Sequence, residues 1–507
     1  MRVSRRTVLL AGAGTGALAA LDGAAGVALA DAGNVPWKGL RRAIDGPVVL
    51  PGDPAYETAK QAHYAQYDVI SPQAVAYCTS ARDVSACLRF ARGNGIVAAA
   101  RSGGHSTAGY STSPGLIVDV SRIKGARLRG RHAVLGAGTQ LVDVTDALAP
   151  HGLGFPGGLS PTVGVAGYLQ GGGQGFLTRK EGMGSDHVLA AEVVLADGEI
   201  VVAKPDRDAD LLWALRGGGG GNFGVVTRFK VRPVAVSTLV NIDLTWTWDH
   251  AARVLPAWQH WIAAAPRELG AQLDIVLRNA APGSAPVVNL TGAWSGDAAG
   301  ATAQVNELVA AVGARPATRR EKQLPYRDAM MEQYGCADNT VPQCHRTGAS
   351  PNGVLPRDAF FLARTRMYDA PQPASAVDTV LAAFDADRRA GHTRVLSAVA
   401  FGGKANTVSR TETAYVHRGT QYALIAATRL PTGTPEEAEL TAARSWEDAM
   451  FRALDPSSNG ETYQNFTDPA MANWQSAYYA ENYDRLVAIK RHYDPGRFFN
   501  FPQAIGT

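Results

Sequence analysis

Apolar positions fall into three regimes along the chain. From residue 36 to 235, short apolar runs alternate with amphipathic stretches. The compact run Val75–Cys78 predicts a strand. In Ala81–Gly93, Val84, Cys87, Leu88 and Phe90 gather on one side of a 3.6-residue period and predict a helix. Ile96–Ala100, Leu116–Asp119, His132–Leu135, Val188–Leu195 and Glu199–Ala203 predict further strands. Asp197-Gly198 between the last two is a hairpin turn, since glycine accepts the positive φ such turns need.

From residue 236 to 450 the period shortens to two. Val240–Trp246, Gln272–Arg278 and Val287–Trp294 alternate as half-buried strands, and Ala251–Ala264 and Ala301–Val312 read as helices. This predicts an antiparallel sheet backed by helices, a second domain. Residues 451–507 form a C-terminal segment with its own motif. A chain of 507 residues supports two or three such units. It shows no short-period repeat and no low-complexity linker.

The N-terminus has a different character. Ser4-Arg5-Arg6-Thr7-Val8-Leu9 matches the twin-arginine export pattern. A mildly apolar Ala/Gly stretch follows, ending in Ala28-Leu29-Ala30, a small-x-small cleavage site. Residues 1–30 are therefore expected to be a signal peptide and the protein to be secreted. Twin-arginine export carries folded chains, which suits a protein that loads a cofactor first.

Charge narrows the partners. The net charge is +4, and it falls to +2 without the first 30 residues, too weak and too evenly spread for nucleic acid. No other segment is a long apolar run, so no membrane span is expected. After export, Cys336 and Cys344, closing a short loop with Pro342, are the favoured disulfide pair. Cys78 and Cys87 read nearly as well as buried thiols. No spacing resembles a metal site. Oligomeric state is not legible.

The 55 glycines are clustered, which marks backbone approaching something closely. Arg101-Ser102-Gly103-Gly104-His105-Ser106 follows a predicted strand directly. Its glycines and serines make a nest of N–H groups and hydroxyls suited to a pyrophosphate, with Arg101 adding charge. The second cluster runs from Gly152 to Gly175. It has no GK[ST] and is no Walker loop, and it does not open a helix as a dinucleotide fingerprint does. Val163, Val165 and Leu169 within it argue for packed backbone rather than a linker. A third cluster runs from Trp213 through Gly217 to Val226. Three such segments in one domain would wrap a large flat ligand.

Together these segments resemble the berberine-bridge-enzyme-like branch of the FAD-linked oxidases, with their vanillyl-alcohol-oxidase type flavin fold. The matching stretches are R-S-G-G-H-S, S-P-T-V-G-V-A-G-Y-L-Q-G-G-G-Q-G, L-W-A-L-R-G-G-G-G-G-N-F-G-V-V and Y-Y-A-E-N-Y-D-R-L-V, the last leading into K-R-H-Y-D-P-G-R-F-F-N-F-P-Q-A-I. The resemblance implies an α+β fold: a two-part FAD-binding domain of PCMH type from residues 36–235 and 451–507, around a substrate domain of residues 236–450. It implies FAD bound covalently through His105. Cofactor contacts are implied at Arg101, Ser102, Gly103, Gly104, Ser106, Ser160, Pro161, Thr162, Val163, Gly164, Gly167, Tyr168, Gly172, Gly175, Asn222, Gly224, Val226, Asn482 and Asn500.

Two positions depart from the pattern. Many members make a second flavin bond through a cysteine where this chain has Ser160, which predicts a single link and a lower reduction potential. Many have a Gln-Tyr pair where this chain, after His417-Arg418-Gly419, reads Ile425-Ala426, which predicts a more apolar pocket. Val163 matches the position that gates oxygen, and a small residue there implies O2 as acceptor and H2O2 as product. Tyr478, and after it Tyr479, match the motif that carries the catalytic base. Asn482 is expected to face the flavin or orient the tyrosine. A tyrosinate base needs its pKa of about 10 pulled down by charge or hydrogen bonds.

The expected function is an FAD-dependent oxidase removing hydride from a C–H bond of a small organic substrate, a secondary metabolite favoured over an oligosaccharide. The alternatives are a dehydrogenase with a non-oxygen acceptor and a flavin-binding protein without turnover.

Overall fold

A computed structural model describes residues 35–507. The twin-arginine segment lies outside the described residues. Among them, no helix is long and apolar enough to cross a membrane, and no cluster of side chains could hold a metal ion.

The N-terminal part holds two main sheets. The first has strands β1 (Val48–Val49), β2 (Ala74–Tyr77), β3 (Ala98–Arg101) and β4 (Leu116–Asp119), in the order β1-β2-β4-β3. β2 and β3 both run parallel to β4, and the helix Ala81–Gly93 makes the crossover. Ser80 starts that helix by accepting the Asp83 N–H. Parallel strands covered on both faces read as unbroken apolar runs, which is why Leu116–Asp119 is buried throughout.

The second sheet is antiparallel: β5 (Ala126–Arg129), β6 (His132–Gly136), β8 (Val188–Val194), β9 (Ile200–Ala203) and β10 (Val225–Val231), in the order β5-β6-β10-β8-β9. The short β7 (Leu153–Gly154) pairs outside it with β11 (Val234–Ala235). Asp197-Gly198 turns between β8 and β9 as expected, with Gly198 at φ +83°.

The substrate-side sheet has seven antiparallel strands: β12 (Thr238–Thr247), β13 (Leu269–Leu277), β14 (Val287–Trp294), β15 (Thr318–Pro325), β16 (Phe360–Tyr368), β17 (Thr393–Ala400) and β18 (Tyr422–Leu430). Their order is β15-β12-β14-β13-β17-β18-β16. Alternation sorts their side chains. Leu273, Ile275, Leu396, Ala398, Leu424 and Ala426 face a helix layer and share one core with Trp258 and Trp446. Four helices make that layer: Ala251–Ala264, Ala298–Val312, Ala374–Asp385 and Glu437–Leu454. The opposite face carries Gln272, Asp274, Ser397, Val399, Ala423 and Ile425. Val399 and Ala423 pack there with Met183, Tyr415 and Tyr463.

One expectation is corrected. The boundary at residue 451 cuts the helix Glu437–Leu454, whose Met450 and Leu454 belong to the substrate-sheet core, so the C-terminal segment begins beyond it. In that segment Tyr478 and Asn482 lie on different helical turns. The helix Trp474–Tyr479 stops at Ala480, which takes φ +40°, and a new helix runs Tyr483–Tyr493. Cys336 and Cys344 form a disulfide, while Cys78 and Cys87 are buried thiols.

Candidate active site

The chain leaves β3 directly into the first glycine segment. Among the described residues, the backbone N–H groups of Gly103, Gly104, His105 and Ser106 donate to no protein acceptor. Four consecutive open donors make an anion nest. The second segment closes against it. A Cβ on Gly103 would lie 2.4 Å from the Gly164 nitrogen, and one on Gly164 would lie 2.1 Å from Ser102 Oγ. Ser102 Oγ donates to Ala137 O at 2.7 Å, so its hydroxyl braces the loop. Only glycine permits this interlock.

Arg101 does something other than expected. Its Nε meets Asp119 Oδ2 at 2.5 Å and its Nη2 donates to Ala59 O at 2.7 Å. The guanidinium is buried in the first sheet and anchors the nest from behind, rather than charging it.

His105 sits at the rim. Its Nε2 is 2.8 Å from Thr162 Oγ1, and its ring stacks on His63 with centroids 3.9 Å apart and planes 17° from parallel. Burial, and after it the neighbouring His63 and Arg346, hold its pKa well below the ordinary imidazole range. The ring is therefore neutral at pH 7. Nδ1 makes no hydrogen bond to a side chain among the described residues. Pro161 and Thr162 are buried, while Ser160 and Val163 are half-buried beside the same rim.

Much of the remaining glycine serves packing within the protein. A Cβ on Gly172 would strike the Tyr415 ring at 2.8 Å, and one on Gly175 the Gly157 carbonyl at 1.7 Å. Gly224 presses on Val193 and Val194, and Val226 is buried in β10, so these two seat the second sheet. Tyr168 is buried with its hydroxyl on Pro156 O. Gly167 faces open space on the short helix Val165–Gln170, which does begin straight after Gly164, contrary to expectation. Asn222 accepts the Ile505 N–H and so ties the C-terminus to the third segment.

The expected base residues both have partners within the protein. Tyr478 is buried, its oxygen accepting the Asp468 N–H at 2.8 Å, and Tyr479 donates to Gly218 O at 3.1 Å. Burial raises both phenols, with no cation to draw them back. Asn482 donates to the carbonyls of Arg410, Thr413 and Ala414 and braces that loop. Asn500 is exposed and contacts none of the nest residues.

A further buried phenol, on the substrate-sheet side, is Tyr463, which sequence reasoning passed over. Its oxygen accepts N–H groups from Gly173 at 2.7 Å and Asn465 Nδ2 at 2.9 Å. Burial raises its pKa, and these donors oppose the rise by stabilising the phenolate. It packs with Val399 and Ala423 of the substrate sheet, with Ile425 and Phe466 half-buried beside it. Nearby, His417 Nδ1 meets Glu461 Oε2 at 2.7 Å, and Arg410 pairs with the same carboxylate. His417 and Tyr422 thus have structural partners, Tyr422 stacking on Tyr368 in the helix-side core. No local spacing marks Tyr463. Its partner Gly173 is 290 positions away.

A run of N–H donors without protein partners and a neutral histidine beside them fit a flavin-linked oxidoreductase. The donor set suits the pyrophosphate of FAD and requires no metal ligand. A family model described as FAD binding domain matches residues 72–204, and one described as Berberine and berberine like matches residues 462–506. The FAD-linked oxidoreductase easE of Arthroderma benhamiae is 30% identical over 459 residues, covering 84% of this chain and 88% of that protein. The uncharacterized FAD-linked oxidoreductase YgaK of Bacillus subtilis is 27% identical over 469 residues, covering 91% and 97%. The solved structure of Physcomitrella patens BBE-like 1 superposes with a TM-score of 0.83 at 26% identity, covering 92% of this chain and 98% of that one. The chain belongs to the berberine-bridge-enzyme-like family of FAD-linked oxidoreductases.

Proposed function

We propose that the protein is an exported oxidase that holds FAD through one covalent bond from His105. It oxidises a C–H bond of a small organic molecule and passes the electrons to dioxygen, giving hydrogen peroxide. The observation that carries this reading is His105 itself: a neutral imidazole beside four open N–H donors, with Nε2 engaged by Thr162 and Nδ1 without a hydrogen bond to a side chain among the described residues. A neutral ring nitrogen with a free lone pair is a nucleophile.

Bound FAD supplies the two-electron acceptor. The protein's groups do the rest. The nest N–H groups bind the pyrophosphate, and the Thr162 hydroxyl orients His105 through its 2.8 Å contact with Nε2. Tyr463, its oxygen fixed by the Gly173 and Asn465 donors, orients the substrate hydroxyl by hydrogen bonding. Ser160 has no thiol for a second bond, which supports a single link. The small Val163, half-buried at the rim, supports access for dioxygen.

The sheet face supports a metabolite with an apolar body over an oligosaccharide. Ile425 and Val399 present hydrocarbon, and Gln272, Asp274 and Ser397 gather the polar groups on β13 and β17. The twin-arginine motif supports export.

The test is acid precipitation of the wild type beside His105→Ala and Ser160→Cys. A yellow pellet is expected from the wild type and a colourless one from His105→Ala. Free flavin in the wild-type supernatant refutes the linkage. A peroxide-coupled screen of sugars, alcohols and phenols then tests turnover, and flavin that no substrate bleaches would favour a binding protein without turnover.

A further inference from the structure

His63 is not part of any glycine segment, yet it forms the wall behind His105. The two imidazoles lie face to face at 3.9 Å, and the His63 backbone N–H donates to Gly104 O at 3.0 Å. The same segment is therefore tied to both the backbone and the ring of the loop that carries His105.

His63 is in turn held from its far side. Its Nε2 lies 3.6 Å from Asp358 Oδ2, and the other oxygen of Asp358 lies 3.6 Å from Arg429 Nε on the substrate sheet. Tyr64 meets the edge of His63 at 4.9 Å and stacks on Phe361 at 5.2 Å. Arg346 and Arg357 both donate to Ala62 O, at 3.3 and 2.9 Å. Residues 62–64 are thus clamped between the nest and β16, and the plane of the His63 ring is fixed.

A histidine side chain keeps two rotatable bonds, and χ2 is broad for a ring. Thr162 restrains one nitrogen of His105 but leaves the ring free to swing about that contact. A parallel ring at stacking distance removes that freedom. Holding a nucleophile in one near-attack orientation is a large rate effect. We propose that His63, anchored by Asp358, is a positioning residue that holds the plane of His105 for covalent attachment of the flavin.

The inference rests on the linkage reading given above. In that attachment the His105 Nδ1–C8α bond forms, and the C8α carbon loses one hydrogen as a proton. The imidazole loses its Nε2 proton and ends as a neutral substituted ring. The isoalloxazine takes up the two electrons and two protons. Dioxygen then removes both and leaves as hydrogen peroxide, restoring the oxidised flavin. His63 supplies none of these atoms, only the geometry.

The experiment produces the full chain under riboflavin limitation, adds excess FAD, and follows covalently bound flavin by in-gel fluorescence after denaturation. Wild type is compared with His63→Ala, His63→Phe and Asp358→Asn, and non-covalent FAD binding is titrated in parallel to report folding. The expected result is attachment at least tenfold slower in His63→Ala at unchanged FAD binding. His63→Phe, which restores a flat ring, should recover most of the rate, and Asp358→Asn should fall between. Attachment at the wild-type rate in His63→Ala overturns the proposal. So does equal loss in His63→Ala and His63→Phe, which would deny a role to the ring plane. A wild type that releases all its FAD on denaturation overturns the linkage itself, a separate result.

Discussion

Asp119→Asn probes how the nest is held. The Arg101–Asp119 pair joins the ends of β3 and β4, and both side chains are nearly sealed, at 5% and 4% exposure. Arg101 also donates to Ala59 O and Lys60 O, and Asp119 Oδ1 accepts the Ser121 N–H at 2.8 Å. Asparagine keeps the volume and one hydrogen bond but strands the guanidinium without its counter-charge. Breaking such a buried pair costs about 3–5 kcal/mol, and the retained contacts place this case near the lower end. About 3 kcal/mol corresponds to roughly a 150-fold shift in the folding equilibrium. Residues 102–106 follow Arg101 directly, so the nest should loosen as well. The assay is urea unfolding followed by tryptophan fluorescence, with FAD titration in a His105→Ala background so that a covalent bond cannot mask affinity. A loss of stability and weaker FAD binding are expected together. A change below about 1 kcal/mol would refute the anchoring role. Tighter FAD binding would show that Arg101, once released, serves the pyrophosphate as the sequence suggests.

Other outcomes follow from the same geometry. Tyr463→Phe should slow anaerobic flavin bleaching by any substrate found in the peroxide screen by roughly tenfold, the loss of one orienting hydrogen bond, while Tyr478→Phe should not; stopped-flow absorbance separates them. Because the His105 pKa is depressed, the ring stays neutral until pH falls to its lowered pKa, and attachment should be flat from pH 8 to 6. An ordinary imidazole of pKa about 6.5 would give about a fourfold drop over that range, and such a drop in the in-gel fluorescence assay would refute the depression. Burial alone would raise the Glu461 carboxyl, but the His417 hydrogen bond and Arg410 bring it from 4.5 down to about 2. Its contribution is therefore complete above about pH 4.5 and lost as pH falls toward about 2. Glu461→Gln should be less stable than wild type at pH 7, with the difference vanishing across that window in acid unfolding curves.

The sequence alone determined the local features whose cause is local. The helix Ala81–Gly93 and strand Leu116–Asp119 appear with the bounds their periodicity predicts, and the Asp197-Gly198 hairpin turn forms where expected. The interlock of Gly103 with Gly164 was legible as two glycine clusters needing close approach. Strands β16 to β18 were less legible. On Phe360–Tyr368 the arginines Arg364 and Arg366 face Phe451, hiding the alternation beneath cation–π contacts. Only the tertiary structure decided which polar groups were already committed. Arg101 looked free until Asp119 stood beside it, and Tyr478 gained a backbone partner at Asp468 that its local sequence does not show. Tyr463 and His63 owe their character to partners hundreds of positions distant, Gly173 and Asp358. Side-chain type is encoded residue by residue. The field and hydrogen bonds that set its chemistry come from neighbours that only folding brings together.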